Sequence, residues 1–219
     1  RAQALAARGQ AVEDLAAQLR AEGAQAVAVR MDVADMDSVR AGYEAGVKAF
    51  GAIDILVSNA GICRLGDFLT QSDADRDAHL DINVKGAWNT CKAVLPAMVE
   101  RKWGKIVIMS SVTGDMVADP GEAAYAMSKA ALVGLTKALA REFAPYVNVN
   151  AICPGYVITE LNRKELTDEK IGGGLLRKTA MRRFGEVEEI AGAAVYLASD
   201  ASSYTTGEPI IVDGGWCAE

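Results

Sequence analysis

Tyr125 and Lys129 combine reactive side chains with a spacing that could serve catalysis. They lie four residues apart in the alanine-rich stretch AAYAMSKAALVGL, and four residues span about one helical turn. An ammonium group beside a phenol lowers the phenol pKa from its ordinary value of about 10. A phenol tuned in this way exchanges a proton with an alcohol or a carbonyl group. Taken alone, the pair also fits an ordinary amphipathic helix whose tyrosine and lysine keep only their tips in water.

The elements around this pair follow an alternating pattern of helices and strands. Helical periods run over residues 11–23, 37–51, 74–101, 123–143 and 186–199, and extended apolar runs are AVAVRMDV, DILVSNAG, KIVIMSS, VNVNAIC and PIIVDGG. Strands that alternate with helices of this length indicate βαβ units. The sequence therefore predicts an α/β fold in one domain over residues 1–219, with a doubly wound parallel sheet and helices on both faces.

One segment breaks this alternation. Between Pro154 and Arg183 the pattern lapses, and the segment contains Gly172-Gly173-Gly174. The glycine run predicts a mobile loop with short helices, which could form a lid that orders on ligand binding.

Several polar residues follow directly after predicted strands. They are Asp32, Asn59 to Gly61, Ser110-Ser111 and Cys153-Pro154-Gly155. Ligands bind at the carboxyl ends of the strands in open α/β sheets, so we expect these residues to line one rim. The Tyr125 helix begins a short loop after Ser111, so a phenol, a hydroxyl and an ammonium group should converge there.

Composition and charge exclude several classes of function. The net charge is −6, and no basic stripe with interleaved aromatic residues indicates a nucleic-acid partner. We find no signal peptide and no apolar run of about 18 residues, which predicts no membrane span and a cytoplasmic protein. The four cysteines are too widely spaced for a CxxC pair and there is one histidine, so we expect no metal site. That histidine, His79, lies in the polar run DADRDAHLDIN and is expected to be exposed or half-buried and not a catalytic base.

Six motifs along the chain resemble one known family. They are Asp32-Val33, Asn59-Ala60-Gly61, Asn83 in DINVKG, Ser111 in IMSSVTG, Tyr125 to Lys129 in YAMSK, and Pro154-Gly155 through Thr159. From about residue 11 to residue 215 the chain resembles the short-chain dehydrogenase/reductase family, which has a Rossmann-like fold. Its loop phrases ICRLGDF and VNAICPGYV look most like the bacterial oxidoreductases called UcpA-like, which neighbour sugar and polyol dehydrogenases.

The resemblance implies an enzyme that transfers a hydride between NAD(P)(H) and an alcohol or carbonyl substrate. It implies that Tyr125 is the acid/base and that Ser111 hydrogen-bonds the same substrate oxygen. Lys129 would lower the tyrosine pKa and hold the nicotinamide ribose, and Asn83 would keep a water in a proton path. From the residues themselves, Ser111 could only satisfy local backbone, Asn83 could only interrupt its helix, and Asn59 to Gly61 could be only a turn with a positive φ at glycine.

The resemblance also implies a set of cofactor-binding residues. They are Asp32, Val33, Asn59, Ala60, Gly61, Tyr125, Lys129, Pro154, Gly155, Val157 and Thr159. Asp32 would contact the adenine of NAD or NADP, and the resemblance to the UcpA-like branch favours NAD. The family usually forms homotetramers through its two longest helices and its C-terminal strand, so a homotetramer or homodimer is expected. The substrate class stays open, because similar chains reduce β-ketoacyl thioesters.

The chain departs from the family pattern at its start. Family members begin with a strand, a glycine-rich turn that holds the pyrophosphate, a helix and a second strand. We recognise none of these strands in the sequence, and RAQALA resembles the helix after that turn. We expect that the expressed chain contains further residues. A genuine deletion is the alternative, and it would make the protein a nonenzymatic nucleotide-binding or scaffolding relic. An epimerase or dehydratase is a third candidate, but such proteins carry a sizeable C-terminal domain.

Overall fold

The structure, a computed structural model, describes residues 3–159 and 162–218. These residues contain the strands β1 Gln3–Ala7, β2 Ala26–Arg30, β3 Ile55–Ser58, β4 Gly104–Met109, β5 Val147–Pro154 and β6 Pro209–Val212. β1 and β2 form a two-stranded sheet, and β3, β4, β5 and β6 form a four-stranded sheet in that order. Every strand pair is parallel. The predicted α/β fold with parallel strands is confirmed.

The helices lie where the periodic pattern predicts them, with small shifts at their ends. They are α1 Ala11–Ala21, α2 Met36–Phe50, α3 Asp73–His79, α4 Gly86–Glu100, α5 Ala123–Phe143, α6 Arg163–Leu166, α7 Glu169–Leu176 and α8 Val187–Leu197. The helix predicted over 74–101 is divided, because the π-helical segment Leu80–Lys85 separates α3 from α4. Side-chain caps start two of the helices: Asp35 accepts from the Asp37 amide before α2, and Ser72 accepts from the Asp75 amide before α3.

The first strand corrects the sequence prediction. RAQALA was expected to belong to a helix, but Gln3–Ala7 pairs residue by residue with Ala26–Arg30. Alanine favours a helix in isolation, whereas pairing with β2 satisfies the backbone of this short segment as a strand. Ala4 of this strand lies close to Gly46 of α2, because a Cβ on Gly46 would lie 3.3 Å from the Ala4 Cβ. Small residues at both positions let the strand and the helix approach each other.

The core lies on both faces of the four-stranded sheet. Ile106 and Ile108 of β4 are at most 1% exposed and pack with residues of α4 and α5. Val107, the residue between them, is fully buried on the other face, where it packs against Ile152 of β5 and Leu197 of α8. Successive side chains of a strand point to opposite faces, so this alternation confirms that helices cover both sides of the sheet.

The segment between Pro154 and Arg183 is more ordered than its glycines predict. The run Gly172-Gly173-Gly174 lies inside α7 and not in a loop. A Cβ on Gly172 would lie 1.8 Å from the carbonyl oxygen of Leu166 at the end of α6. Glycine at this position therefore permits two short helices to approach each other closely, which no local pattern in the sequence signals.

We predict that Gly86→Ala destabilises the protein. A Cβ on Gly86 would lie 2.6 Å from a methyl carbon of Val33, so the loop after β2 has to move away from α4. We expect a loss of about 1–3 kcal/mol in the free energy of unfolding, measured by chemical denaturation. Gly134→Ala in α5 is the control, because a Cβ there has nothing within 4 Å. It should leave stability unchanged or raise it by up to about 1 kcal/mol. Equal stabilities for the two variants would contradict the prediction.

Candidate active site

The carboxyl ends of four strands carry the residues that the sequence places at one rim. Asp32 follows β2, Asn59 to Gly61 follow β3, Ser110 and Ser111 follow β4, and Pro154 ends β5. The first turn of α5 adds Tyr125. Register in the parallel sheet brings the ends of β4 and β5 side by side, because Met109 pairs with Ile152.

Ser111 and Tyr125 meet through their side chains. The Ser111 hydroxyl lies close enough to the Tyr125 phenol to lower the Tyr125 pKa, although the two residues belong to different elements. The backbone amide of Thr113 donates to Ser111 Oγ at 3.1 Å, which holds the hydroxyl in place. Ser111 is 8% exposed, so its hydroxyl lies in a partly enclosed site. Any oxygen bound between the two groups would receive hydrogen bonds from both.

Lys129 lies one turn further along α5 and is almost fully buried. Its Nζ lies 5.7 Å from the centroid of the Tyr125 ring and donates to the backbone oxygen of Met109 at 2.8 Å. Ser110 Oγ donates to the Lys129 backbone oxygen at 2.9 Å, which ties α5 to the end of β4. Burial lowers the pKa of the Lys129 ammonium from 10.5 to about 8, because a charged group loses its solvation there.

The pKa of Tyr125 differs from the sequence prediction. We expected the neighbouring ammonium to lower it, but burial raises the pKa of Tyr125 from 10 to about 12. The hydrogen bond from Ser111 opposes this shift, while the charges of Cys63 and Glu122 add to it. The Lys129 ammonium is turned to the Met109 carbonyl and does not overcome the cost of burying a phenolate. The phenol is therefore protonated at neutral pH, the form that donates to a carbonyl oxygen.

The Asn83 side chain connects three parts of the site. It lies in the π-helical segment and is 1% exposed. Its Oδ1 accepts from the Ile62 amide at 2.8 Å, and its Nδ2 donates to the Ile62 oxygen at 3.0 Å and to Ser128 Oγ at 2.9 Å. Ser128 Oγ in turn donates to the backbone oxygen of Tyr125 at 2.7 Å. The sequence analysis missed Ser128, whose position between Tyr125 and Lys129 was the available signal.

Gly61 lies close to both Asn83 and Lys129. A Cβ there would lie 3.3 Å from Asn83 Oδ1 and 3.6 Å from Lys129 Nζ. The backbone of Gly61 does not adopt a positive φ, so the turn interpretation is wrong and the requirement is for space. Asn59 and Ala60, which precede it, are exposed. The loop after β3 thus leaves room beside Lys129 and Asn83.

The sequence model of one family covers nearly the whole chain. It is described as enoyl-(acyl carrier protein) reductase and matches residues 2–217. The oxidoreductase UcpA of Salmonella typhimurium is 52% identical over 211 residues, which cover 93% of this chain and 80% of that protein. The chain belongs to the short-chain dehydrogenase/reductase family. Members of this family are oxidoreductases that act on alcohol or carbonyl groups, and the predicted resemblance to the UcpA-like branch is confirmed.

Two further members show how similar the chain is to other short-chain dehydrogenases. The 3-oxoacyl-(acyl-carrier-protein) reductase FabG of Staphylococcus aureus is 37% identical over 204 residues, covering 93% of this chain and 82% of that protein. A gluconate 5-dehydrogenase from Burkholderia cenocepacia, solved in complex with NADP and tartrate, is 37% identical with a TM-score of 0.93. The match covers 99% of this chain and 85% of that one. The Rossmann-like fold is therefore confirmed.

Asp32 and Val33 lie at the end of the rim that the family resemblance assigns to the adenine. Asp32 Oδ1 accepts from the Ala34 amide at 3.0 Å, and its Oδ2 lies 3.6 Å from Arg8 Nη1. Asn89 of α4 donates to the Val33 oxygen at 2.9 Å. Arg8 was missed by the sequence analysis, because the strand that ends beside it was not recognised.

The residues after β5 lie at the opposite end of the rim. A Cβ on Gly155 would lie 2.8 Å from the Asp213 Cα, so glycine is needed where the chain passes the end of β6. Val157 bridges to Gly185, and its oxygen accepts from Asn162 Nδ2 at 2.9 Å. The amide of Thr159 donates to Asn162 Oδ1 at 2.7 Å. Asn162 therefore fixes the turn that presents Val157 and Thr159.

A charged cluster beside the site escaped the sequence analysis. The Lys178 ammonium pairs with Asp119, and the Tyr156 hydroxyl donates to Asp119 Oδ2 at 2.8 Å. Burial alone would raise the Asp119 pKa, because it disfavours the charged carboxylate. The hydrogen bonds from Lys178 and Tyr156 have the larger effect together, and the Asp119 pKa is lowered. Tyr156 stacks on Trp216, with ring centroids 4.6 Å apart. The cluster joins three distant segments, so no sequence spacing could reveal it.

Glu122 and Cys63 also lie close to Tyr125. Glu122 is buried, and its Oε2 accepts from the Asp119 amide at 2.8 Å. Burial raises the pKa of Glu122. Cys63 is exposed, and burial of its thiol raises the Cys63 pKa to about 11. A carboxyl group and a neutral thiol therefore face the phenol from two directions.

His79 contradicts the expectation that it is exposed or half-buried. It has no exposed surface, and its ring lies edge-on to the Tyr125 ring with centroids 6.3 Å apart. The polar residues around it lie on the exposed face of α3, whereas His79 lies on the buried face. The polarity of the neighbouring residues therefore gave the wrong prediction for this side chain.

Among residues 3–159 and 162–218, no group of three or more His, Cys, Asp or Glu side chains could hold a metal ion. Within the same part of the chain, no helix combines the length and the apolar character that crossing a bilayer requires.

We predict that Tyr125 does not ionise between pH 8 and pH 11. Its pKa is raised to about 12, so its phenolate should be absent over most of this range. The measurement is phenolate absorbance during alkaline titration, compared between the wild type and Tyr125→Phe. The two curves should coincide up to about pH 11. An additional phenolate in the wild type below pH 10 would mean that the Lys129 ammonium does dominate the tyrosine pKa.

Proposed function

We propose that this chain catalyses reversible hydride transfer between NAD(P)(H) and an alcohol or carbonyl substrate, with Tyr125 as the acid/base. The observation that carries the proposal is the convergence of three side chains: Lys129 Nζ lies 5.7 Å from the centroid of the Tyr125 ring, and Ser111 lies close enough to the phenol to lower its pKa. A substrate oxygen placed between the two hydroxyl groups would be held by both. A nonenzymatic relic would have no need for a buried lysine at this point.

During carbonyl reduction Tyr125 donates its proton to the substrate oxygen. The raised pKa keeps the phenol protonated at neutral pH, so the donor is present before the substrate arrives. Ser111 hydrogen-bonds the same oxygen and stabilises the negative charge that develops on it. During alcohol oxidation the same two groups act in reverse, and Tyr125 takes the proton.

Lys129 would bind the cofactor, and Asn83 would belong to a proton path. A Cβ on Gly61 would contact Asn83 Oδ1 and Lys129 Nζ, so glycine at this position keeps a side chain away from Lys129 Nζ, where a ribose would bind. Lys129 would bind the hydroxyl groups of that ribose, and Asn83 would hold a water between Lys129 and solvent. NAD(P)H supplies the hydride, which none of these side chains can provide. Val157 and Thr159 would hold the nicotinamide end, with Pro154 and Gly155 beneath it.

Arg8 supports NADP as the preferred cofactor, although resemblance favoured NAD. The end of β1 carries Arg8 and no carboxylate, and an arginine there accommodates the 2′-phosphate of NADP. Arg8 lies 3.6 Å from Asp32 and its side chain is 62% exposed, so it is free to turn to a ligand. The relative solved with NADP agrees with this preference.

A hydroxylated carbonyl compound is the substrate class that we propose. The gluconate 5-dehydrogenase relative has a TM-score of 0.93. Polar groups also lie on one side of Tyr125 here, because Glu122 acts on its pKa and is linked to the Asp119–Lys178 pair. An acyl thioester, the substrate class of the FabG relative's name, would find fewer apolar contacts there. Gluconate oxidation with NADP is therefore the first reaction to assay.

We predict that Tyr125→Phe abolishes turnover and keeps cofactor binding. Loss of the acid/base should lower kcat for gluconate oxidation by about a thousandfold or more. The dissociation constant of NADPH, measured by its fluorescence, should stay within about twofold, because the phenol ring remains. Tyr204→Phe is the control, since Tyr204 is fully exposed and should behave as the wild type. Turnover retained in Tyr125→Phe would overturn the mechanism.

We predict that Arg8→Ala weakens NADPH binding selectively. Loss of a charge-assisted contact to the 2′-phosphate should raise the NADPH dissociation constant about tenfold or more. The NADH dissociation constant should not change, because that cofactor lacks the phosphate. Arg30→Ala, at the exposed end of β2, is the control. Equal effects on the two cofactors would argue against an NADP preference set by Arg8.

We also propose that the protein forms a homotetramer or homodimer through α4 and α5. An apolar groove of about 380 Å³ lies between these helices, and Trp88 at its edge is 54% exposed. A second copy of the same face would cover it, as symmetric dimers do. Val195 of α8 and Ile211 of β6 are exposed on another face and would support a second contact.

Trp88→Glu is predicted to dissociate the assembly. A charge buried in the proposed interface is costly, so light scattering should show a smaller species than for the wild type. Trp103→Glu is the control, because Trp103 is 41% exposed and lies outside the groove. A monomeric wild type, or an unchanged assembly in Trp88→Glu, would refute this interface.

A further inference from the structure

Both ring nitrogens of His79 have a defined partner. Nδ1 lies 2.7 Å from the backbone oxygen of Asp75, and Nε2 lies 3.0 Å from the backbone nitrogen of Arg64. A carbonyl oxygen only accepts and a backbone amide only donates. Nδ1 therefore carries the proton and Nε2 accepts from Arg64. The contacts select one neutral tautomer, and a second ring proton would face the Arg64 N–H.

His79 and Asn83 hold the same loop at two points. Asn83 bonds both backbone groups of Ile62, and His79 accepts from the amide of Arg64. Cys63 lies between these two anchors. We call residues Ile62 to Arg64 the thiol loop. This loop directly follows Gly61, at which a Cβ would lie 3.6 Å from Lys129 Nζ, so the loop begins beside Lys129.

The thiol loop has further contacts, with α3 and with Gln71 just before it, that do not involve the imidazole. Arg64 Nη1 lies 2.8 Å from Asp75 Oδ1, and Gln71 Nε2 donates to the Arg64 oxygen at 3.0 Å. Both contacts lie on exposed side chains, and exposed ion pairs contribute little to stability. The bond from the Arg64 amide to His79 ends on a fully buried ring, so it anchors the Arg64 end of the loop, as Asn83 anchors the Ile62 end.

The same imidazole also packs against the proposed acid/base. The rings of His79 and Tyr125 meet edge to face, with centroids 6.3 Å apart and an angle of 69° between their planes. This is a favourable aromatic geometry. His79 thus contacts the phenol ring with its edge and the thiol loop with its nitrogen. A displacement of the imidazole would move both together.

We propose that His79 is a positioning residue that sets the distance between the thiol loop and the Tyr125 phenol. The proposal rests on the function assigned to Tyr125 above. His79 does not contact the reacting atoms in this role. It keeps the thiol loop and the Tyr125 phenol at a fixed distance, so that a carbonyl oxygen held by Ser111 also reaches Tyr125. The chemical requirement is a neutral aromatic acceptor at position 79.

Two substitutions separate the two contacts of the imidazole. His79→Phe keeps an aromatic edge against Tyr125 but removes the acceptor for the Arg64 amide. His79→Gln places an amide oxygen that can accept from Arg64 but removes the ring. His79→Leu removes both. With gluconate and NADP as the probe reaction, His79→Phe should raise KM for gluconate about fivefold, the effect of losing one hydrogen bond. His79→Gln should retain the wild-type KM but lower kcat.

A merely structural role would give a different pattern. It would lower the thermal midpoint and the fraction of active enzyme in all three variants, with KM unchanged in the molecules that remain folded. The NADPH dissociation constant should stay within about twofold in His79→Phe and His79→Gln, because neither substitution changes Lys129, the residue proposed to bind the ribose. The expected result is a raised KM in His79→Phe and a wild-type KM with a lower kcat in His79→Gln. Identical KM values in the phenylalanine and glutamine variants would overturn the proposal.

Alkylation of Cys63 tests the loop without any turnover. Cys63 is an exposed residue between the two anchors, and its thiol is partly buried, so its rate of reaction with iodoacetamide reports the position of the thiol loop. His79→Phe should change this rate several-fold, and His79→Gln should restore it. Cys63→Ser supplies the background from the other three cysteines. Unchanged alkylation in His79→Phe and His79→Leu would overturn the proposal even if Tyr125 proves to be the acid/base. A changed rate with no gluconate turnover would leave the loop role standing and refute only the proposed substrate.

The tautomer is directly observable because the chain contains one histidine. Nitrogen-15 spectra of the intact protein should show a single imidazole with a protonated Nδ1 and an unprotonated Nε2 near neutral pH. A protonated Nε2, or an average of the two tautomers, would overturn the assigned contacts.

Discussion

The buried side-chain amide of Asn83 holds together the parts of the molecule that form the site. It bonds both backbone groups of Ile62 and the hydroxyl of Ser128, so the loop after β3 and the helix α5 share one anchor. The anchor requires the π-helical segment Leu80–Lys85, which lies between two regular helices. An amide is well suited to this position, because it donates and accepts at once and leaves no buried polar group unpaired.

Burial sets the protonation states around the proposed acid/base. It raises the pKa of Tyr125 to about 12 and lowers that of Lys129 to about 8, and the common cause is that both charged forms lose solvent. The phenol is therefore a proton donor in the resting site, and the lysine is easily discharged. Ser111 moderates the first shift through its hydrogen bond. A ligand that adds charge or excludes water here would change both values.

At three points of the rim, a glycine lets the backbone lie close to a residue of another segment. Gly61 makes room beside Asn83 and Lys129, Gly86 lets α4 lie against Val33, and Gly155 passes the end of β6 at Asp213. Each contact joins segments that are distant in the chain. In all three the missing Cβ serves packing and not an unusual φ, so substitution at these points disturbs neighbouring elements and not only the local backbone.

The sequence by itself determined the alternation of strands and helices, the bounds of α5 and the order of the rim residues. These features follow from local period and from motif spacing, which the chain carries in any environment. Only the tertiary structure decided that Gln3–Ala7 is a strand, that Gly172 lies in a helix and that His79 is buried. It also decided the direction of the Tyr125 pKa shift and the pairing of Asp119 with Lys178. The physical reason is the same throughout, since strand pairing, close packing and desolvation depend on which distant segments meet.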